Sequence, residues 1–168
     1  MPNDCKPLLY SHYDVTFQEV PGEVSLVFDI TGCLHRCQGC HSQFLWEYTG
    51  LPLLADMPHL LDKYSGMITC VCFMGGDQNK DELLLACRIV KQAHLKICLY
   101  SGLTALEFYK LSCAYPSFLA EDYFDYIKLG PYIESFGGLS DKSTNQRFYN
   151  LVRGAYYDKT YLFQKEYK

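Results

Sequence analysis

Residues 67–102 read MITCVCFMGGDQNKDELLLACRIVKQAHLKICLYSG, and this stretch decides the fold class. Residues 67–73 form a continuous apolar run of strand length, which is ended by a pair of glycines. From residue 80 to residue 94 the apolar side chains recur at helical spacing, and residues 95–100 form a second apolar run. A strand, a helix and a strand in this order predict a βαβ unit with parallel strands.

The same alternation extends in both directions from this unit. Two strands and a helix are predicted before it, and a helix and a strand after it, at residues 15–17, 24–30, about 55–64, 104–114 and 126–129. The first 12 residues have no regular pattern. The sequence therefore predicts a single α/β domain over residues 1–168, in which residues 1–12 and about 151–168 are peripheral.

Composition and charge exclude several classes of partner. The formal net charge is -4 and no run of Lys or Arg occurs, so a nucleic-acid partner is not expected. No apolar stretch approaches the roughly 20 residues of a membrane helix, and the first residues do not resemble a secretory signal. We therefore expect no membrane association and a cytoplasmic location. The nine cysteines are odd in number, which makes a disulfide framework a poor explanation for them.

Three of the cysteines form a tight cluster. Cys33, Cys37 and Cys40 lie in the segment TGCLHRCQGCH at residues 31–41, with the spacing C-x3-C-x2-C. Thiolates are the usual ligands of iron–sulfur clusters, and the two glycines of the segment let the backbone turn around such a centre. Three ligands leave one iron of a four-iron cube without a protein ligand. The spacing therefore favours a [4Fe-4S] cluster with one open position.

A zinc-bound interaction module is the alternative outside the enzymes. Structural zinc normally takes four ligands in paired spacings. His41 is adjacent to Cys40 and is badly placed to complete a tetrahedron, and His35 has a similar difficulty. Metal analysis separates the two interpretations.

Three loops follow predicted strands and carry unusual residues. They are the cysteine segment at 31–41, the glycine-containing turn at 75–79 and the Ser-Gly turn at 101–102. In parallel α/β sheets the functional groups lie on loops after the carboxyl ends of the strands. We expect these three loops to meet at one edge of the sheet.

The cysteine spacing directly after a strand, with Gly32 before the first cysteine, resembles the radical S-adenosylmethionine superfamily. FMGGD at residues 73–77 resembles the Gly-Gly-Glu or Gly-Gly-Asp loop of that family, which helps to hold the methionine amino group. YSG at residues 100–102 resembles its Tyr-Thr-Gly or Tyr-Ser-Gly loop. The resemblance implies a partial (β/α) barrel of mostly parallel strands and two cofactors, the [4Fe-4S] cluster and S-adenosyl-L-methionine, which the open iron chelates.

The resemblance also implies a set of cofactor-binding residues. They are Gly75, Gly76, Asp77, Ser101 and Gly102 in the two loops, with His41 beside the cluster or the adenine and Lys128 on the last predicted strand. The sequence departs from the family at Gln78, where Pro is frequent, and at Leu129, where a second Asp is frequent in the subfamily described next.

Within the superfamily, the sequence is most similar to the activating proteins of anaerobic ribonucleotide reductases. The residues that carry this likeness are GCLHRCQGCH at 32–41, VPGE at 20–23 and STNQR at 143–147, and the likeness covers roughly residues 13–150. It singles out Asn145, Gln146 and Arg147 as partner-binding or ligand-binding residues whose role is open.

The implied activity is that of an activase. Such an enzyme reductively cleaves S-adenosylmethionine and generates a glycyl radical on its protein partner, the anaerobic (class III) ribonucleotide reductase. An external one-electron donor is also implied, because the chain has only one set of cluster ligands. Two further enzymes share the cysteine spacing: an activase of another glycyl-radical enzyme such as pyruvate formate-lyase, and a small-molecule radical enzyme of the queuosine-precursor type.

Overall fold

The structure is a computed structural model that describes residues 6–115 and 123–164. Within these residues the chain forms eight strands and three α-helices. The strands are β1 (Leu9–Thr16), β2 (Ser25–Ile30), β3 (Leu51–Pro52), β4 (Cys70–Met74), β5 (Lys96–Tyr100), β6 (Tyr126–Leu129), β7 (Arg147–Val152) and β8 (Ala155–Asp158). The helices are α1 (Leu53–Lys63), α2 (Lys80–Gln92) and α3 (Ala105–Ala114).

The strands form one mixed sheet in the order β3-β1-β2-β4-β5-β6-β7-β8. Its centre is parallel, because β2 pairs with β4, β4 with β5 and β5 with β6 in the same direction. Both flanks are antiparallel: β1 lies between β2 and β3 on one side, and β7 lies between β6 and β8 on the other.

The predicted partial (β/α) barrel of mostly parallel strands is therefore wrong. Only three of the seven pairings among the described strands are parallel, and β3 and β8 stand at the two edges of an open sheet. The connections explain the difference. The chain passes from β7 to β8 through Arg153 and Gly154, which have φ values of 50° and 77°. Two consecutive residues with positive φ make a tight hairpin, and such a hairpin joins only antiparallel strands.

The helices begin where the sequence provides caps. The side-chain oxygen of Asn79 accepts a hydrogen bond from the N–H of Glu82 at 3.1 Å and caps α2. Thr104 and Glu107 cap each other's backbone N–H groups at the start of α3. All three predicted helices are present, with ends that differ from the prediction by at most two residues. In contrast to the helices, the start of β1 was not predicted. This strand begins at Leu9, inside residues 1–12, where the sequence has no regular pattern.

The main core lies between the three helices and one face of the sheet. Its strand residues alternate along the parallel centre and include Phe28, Phe73 and Leu99, all of which are fully buried. The opposite face carries a smaller cluster in which Cys72, Cys98 and Phe148 are buried. In the described part of the chain, no helix has the length and apolar character needed to cross a membrane.

A buried carboxylate ties together the amino-terminal ends of the parallel strands. Glu23, which precedes β2 and is 8% exposed, accepts hydrogen bonds from Thr69 Oγ1 and Tyr126 Oη, each at 2.7 Å, and from Lys96 Nζ. Burial acts to raise the pKa of Glu23, but these three hydrogen bonds outweigh it and lower the pKa below its ordinary value.

We expect Glu23→Gln to reduce the free energy of unfolding by about 1–3 kcal/mol at pH 7, because a charged acceptor of three hydrogen bonds is lost. The folded-state pKa of Glu23 is lowered, so its stabilisation is complete above the unfolded-state pKa and is lost as pH falls through the folded-state value. Urea unfolding at several pH values measures the difference between the two proteins.

The exposed Glu47→Gln is the matched control and should leave the unfolding free energy nearly unchanged. A Glu23→Gln effect that persists undiminished down to about pH 2, well below ordinary carboxyl pKa values, would contradict the assignment of the effect to the ionised carboxylate.

Candidate functional site

A cavity of about 340 Å³ opens at the carboxyl ends of the four parallel strands. Its walls come from the loops after β2, β4, β5 and β6, so the three loops singled out in the sequence do meet at one edge of the sheet. Ten of the predicted site residues line it: Cys33, Cys37, Cys40, His41, Gly75, Asp77, Ser101, Gly102, Lys128 and Gln146. The volume lies in the range of sites that bind small molecules.

The cysteine loop is held in a fixed path by its own backbone. The N–H of Cys33 donates to the carbonyl of Leu45 at 2.9 Å, and the N–H of Cys40 donates to the carbonyl of Cys37 at 3.1 Å. Gly39 has a φ of 74°, and a Cβ there would lie 3.2 Å from the side chain of Glu134. The close approach and the positive φ together explain why glycine occupies this position.

The three thiols are free, and each is partly exposed on the cavity wall. Burial raises the pKa of the Cys33 thiol, although backbone N–H groups of the same loop act in the opposite direction. Cysteine thiolates are the usual ligands of iron–sulfur clusters, so Cys33, Cys37 and Cys40 are the residues that could hold one, with one iron left without a protein ligand. As placed in the described residues, no group of three or more His, Cys, Asp or Glu side chains surrounds a position for a metal ion.

Lys128 brings a buried positive charge to the same cavity. It is 8% exposed, and its Nζ donates to the carbonyl of Gly130 at 2.8 Å. Burial lowers the pKa of Lys128 to about 8, while the nearby Cys37 and Cys40 act against that change. Within the described residues no carboxylate lies within 4.0 Å of Nζ. A buried cation without an ion-pair partner favours an anionic ligand in the cavity.

Asp77 contacts two other loops. Its Oδ2 accepts a hydrogen bond from Ser101 Oγ and lies 3.4 Å from His35 Nε2. The hydrogen bond to Asp77 raises the pKa of His35 above its ordinary value. The family resemblance implies that Asp77 holds a ligand, and it assigns no functional role to His35. The available signal for His35 was its place between two ligand cysteines.

Gln78 and Gly76 position the turn after β4. Gln78 Oε1 accepts a hydrogen bond from the N–H of Gly76 at 3.1 Å, and its Nε2 donates to the carbonyl of Thr31 at 2.9 Å. Gly76 does not line the cavity, since a Cβ there would point at Leu83 and Leu8. Gln78, the departure from the family pattern, therefore ties this turn to the cysteine loop.

The structure separates Asn145, Gln146 and Arg147, which the family resemblance singles out together. Gln146 is buried and lines the cavity, whereas Asn145 and Arg147 line a neighbouring cavity of about 300 Å³. Asn145 donates from Nδ2 to the carbonyl of Pro131 at 2.9 Å, and Arg147 donates from Nη1 to the carbonyl of Thr144 at 2.7 Å. Gly130 borders both cavities.

His41 lies at the rim of the first cavity. It is exposed, and its ring centroid is 5.1 Å from that of Tyr132. The two rings are tilted by 49° against each other, and each offers an aromatic face next to Cys40 that suits contact with a planar group.

A scan against protein-family models, a search of curated proteins and a search of solved structures each gave no match. The function of the protein is therefore inferred from the residues of this chain and from their arrangement.

Proposed function

We propose that this protein is a radical S-adenosylmethionine activase that reductively cleaves S-adenosylmethionine and generates a glycyl radical on an anaerobic ribonucleotide reductase. One observation carries the proposal. The C-x3-C-x2-C thiols, Gly75 and Asp77 of the Gly-Gly-Asp turn, and the buried Lys128 line a single cavity although they come from three different loops or strands. The cysteine spacing and the Gly-Gly-Asp turn are each only a short motif. A charged cofactor requires that both lie beside a cation that has no ion-pair partner, as is the case for Lys128 among the described residues.

The three cysteines are the proposed cluster ligands. Cys33, Cys37 and Cys40 would hold a [4Fe-4S] cluster, which would supply the one electron needed for reductive cleavage of S-adenosylmethionine and so for removal of a hydrogen atom from a glycine Cα. The protein supplies a thiolate set on the wall of a partly enclosed cavity. Metal binding there requires loss of the thiol protons, and burial opposes that loss at Cys33 because it raises the pKa of this thiol.

Lys128 is the proposed partner of the S-adenosylmethionine carboxylate. An ammonium group that is 8% exposed and has only a carbonyl acceptor within the described residues gains a strong charge-assisted hydrogen bond from such a ligand. Gly75, with a φ of 104°, brings its backbone to the cavity wall without a side chain. His41 and Tyr132 offer flat surfaces for the adenine.

Exposed apolar side chains on and after the cysteine loop support a protein partner. Leu34 is 62% exposed and Phe44 is 56% exposed, and both are close in sequence to the proposed cluster ligands. Contiguous exposed apolar patches mark docking surfaces, and we propose that these two side chains contact the partner. The proposed partners are the reductase and an external one-electron donor. A cytoplasmic location suits the proposal, because reducing conditions keep thiols such as these reduced.

We expect Cys37→Ala to abolish both the binding of about four irons per chain and S-adenosylmethionine cleavage, because two thiolates cannot hold the cluster. Iron and sulfide analysis after anaerobic reconstitution, followed by assay of methionine release with a chemical reductant, measures both properties. Cys113→Ala is the matched control, since Cys113 is exposed on α3 and lies outside the cavity. Cleavage retained by Cys37→Ala, or zinc in place of iron, would exclude the proposal.

We expect Lys128→Met to weaken S-adenosylmethionine binding by at least about tenfold, because a buried charge contact with the ligand carboxylate is lost. The free energy of unfolding should be unchanged or higher, since an unpaired buried charge is costly. Equilibrium binding to iron-loaded protein under anaerobic conditions gives the affinity, and the exposed Lys110→Met serves as control. Equal affinity of the two variants for S-adenosylmethionine would show that Lys128 does not contact this ligand.

The substrate is tested by mixing the reduced, iron-loaded protein and S-adenosylmethionine with an anaerobic ribonucleotide reductase. The expected result is a glycyl-radical signal in electron paramagnetic resonance that requires all three components. Cleavage of S-adenosylmethionine without this signal would favour another glycyl-radical enzyme as partner or a small-molecule substrate. A reductase whose target glycine is replaced by alanine is the control.

A further inference from the structure

One carboxylate oxygen joins three loops at the cavity. Asp77 Oδ2, on the turn after β4, accepts a hydrogen bond from Ser101 Oγ on the loop after β5 and faces His35 Nε2 on the cysteine loop at 3.4 Å. Ser101 is itself fixed, because its Oγ accepts the N–H of Leu103 at 3.1 Å. The cysteine loop is thus connected through a side chain to both loops that are proposed to hold the ligand.

The position of the His35 ring is also set by packing. A Cβ at Gly102 would lie 2.6 Å from two atoms of the ring, so the imidazole rests directly on the backbone of the loop after β5. The side chain of His35 is 25% exposed and that of Asp77 is 9% exposed. The ring is therefore held between the carboxylate and the glycine, and it cannot swing outwards without breaking both contacts.

A hydrolytic triad is a different interpretation of Ser, His and Asp in one place, and the geometry argues against it. In such a triad the imidazole lies between the hydroxyl and the carboxylate and removes the hydroxyl proton. Here the carboxylate of Asp77 lies between the other two groups, and Ser101 Oγ donates a hydrogen bond to that carboxylate. The arrangement therefore holds loops together and does not activate a nucleophile.

We propose that His35 is a positioning residue that couples the cysteine loop to the ligand-binding loops through Asp77. This rests on the proposed function, in which Cys33 and Cys37, on either side of His35, hold the metal and the turn at Asp77 holds the ligand. A fixed distance between the two is essential, because a displacement of about 1 Å can reduce a rate by about a hundredfold. Coupling of this kind is reciprocal, so a ligand that orders the turn also orders the cysteine loop.

The test uses two amides in place of the imidazole. The side-chain nitrogen of Gln reaches the position of His Nε2. The Asn side chain is shorter, so its nitrogen cannot reach Asp77. In the metal-free full chain, we expect His35→Asn to speed amide hydrogen exchange of residues 33–41 on the order of fivefold, the loss expected for one hydrogen bond. His35→Gln should restore slow exchange, and the amides of β4 should be unaffected in both variants.

A second pair of variants approaches the contact from the other side. Gly102→Ala displaces the ring and should speed exchange of the cysteine loop, as should Ser101→Ala, while Gly138→Ala is the matched control because a Cβ there meets nothing within 4 Å. If none of the variants speeds exchange of residues 33–41, or if His35→Asn and His35→Gln behave alike, the coupling is wrong.

The iron-loaded protein gives the functional half of the test. We expect His35→Asn to bind the same amount of iron as the original protein, to lower kcat for S-adenosylmethionine cleavage about tenfold or more, and to be rescued by His35→Gln. If the original protein neither binds iron nor cleaves S-adenosylmethionine, the proposed function fails, and the exchange measurements still decide the coupling. Fast exchange in His35→Asn with unchanged kcat would overturn the positioning role alone.

Discussion

Parallel pairing of four buried strands is the constraint on which the cavity depends. In one row across the sheet, Asp29 is paired with Met74, Met74 with Tyr100 and Tyr100 with Lys128. The chain leaves the sheet just beyond this row on every strand, so the cysteine loop, the glycine turn and the Ser-Gly turn emerge side by side. Successive side chains of a strand point to opposite faces, and a slip of one residue in β6 would move Lys128 away from the cavity. The packed core around Phe28, Phe73 and Leu99 fixes the register and therefore the site.

The electrostatics of the cavity disfavour unpaired charges and favour a charged occupant. Burial raises the pKa of Cys33 and lowers the pKa of Lys128, so each group resists its charged form when nothing is bound. Thiolates around a metal and an ammonium group beside a carboxylate would relieve both costs. The network around Glu23 at the other end of the same strands has the reverse character, because its charges are paired within the protein. The amino-terminal edge of the sheet therefore carries charges that are paired within the protein, and the carboxyl-terminal edge carries groups that a ligand could pair.

The sequence predicts the parts of this protein that depend on local patterns. The strand and helix of residues 67–100 follow from apolar periodicity, and the cysteine loop follows from its spacing. The barrel is wrong because the family resemblance extended a local likeness to the whole sheet, while the direction of β7 and β8 depends on a two-residue turn at Arg153 and Gly154. Arg-Gly is not one of the usual hairpin dipeptides, and the flanking residues do not alternate strictly between apolar and polar, so this turn was hard to predict from the sequence. The sequence hinted at the role of His35 only by its place between two proposed ligand cysteines, since this role arises from contacts with Asp77 and Gly102 that are 42 and 67 positions away in the chain.

The antiparallel flank also determines how the cavity meets its surroundings. Beyond β6 no further parallel strand extends the wall among the described residues, and the segment that borders the cavity on this side carries Tyr132, Leu139 and Gln146. Gly130, with a φ of 108°, lies where this segment leaves the sheet, and a Cβ there would come within 3.2 Å of the backbone of residues 145 and 146. Gly130 therefore forms part of the boundary between the two cavities. A site bordered by loops on this side suits the protein substrate proposed above better than a closed barrel would.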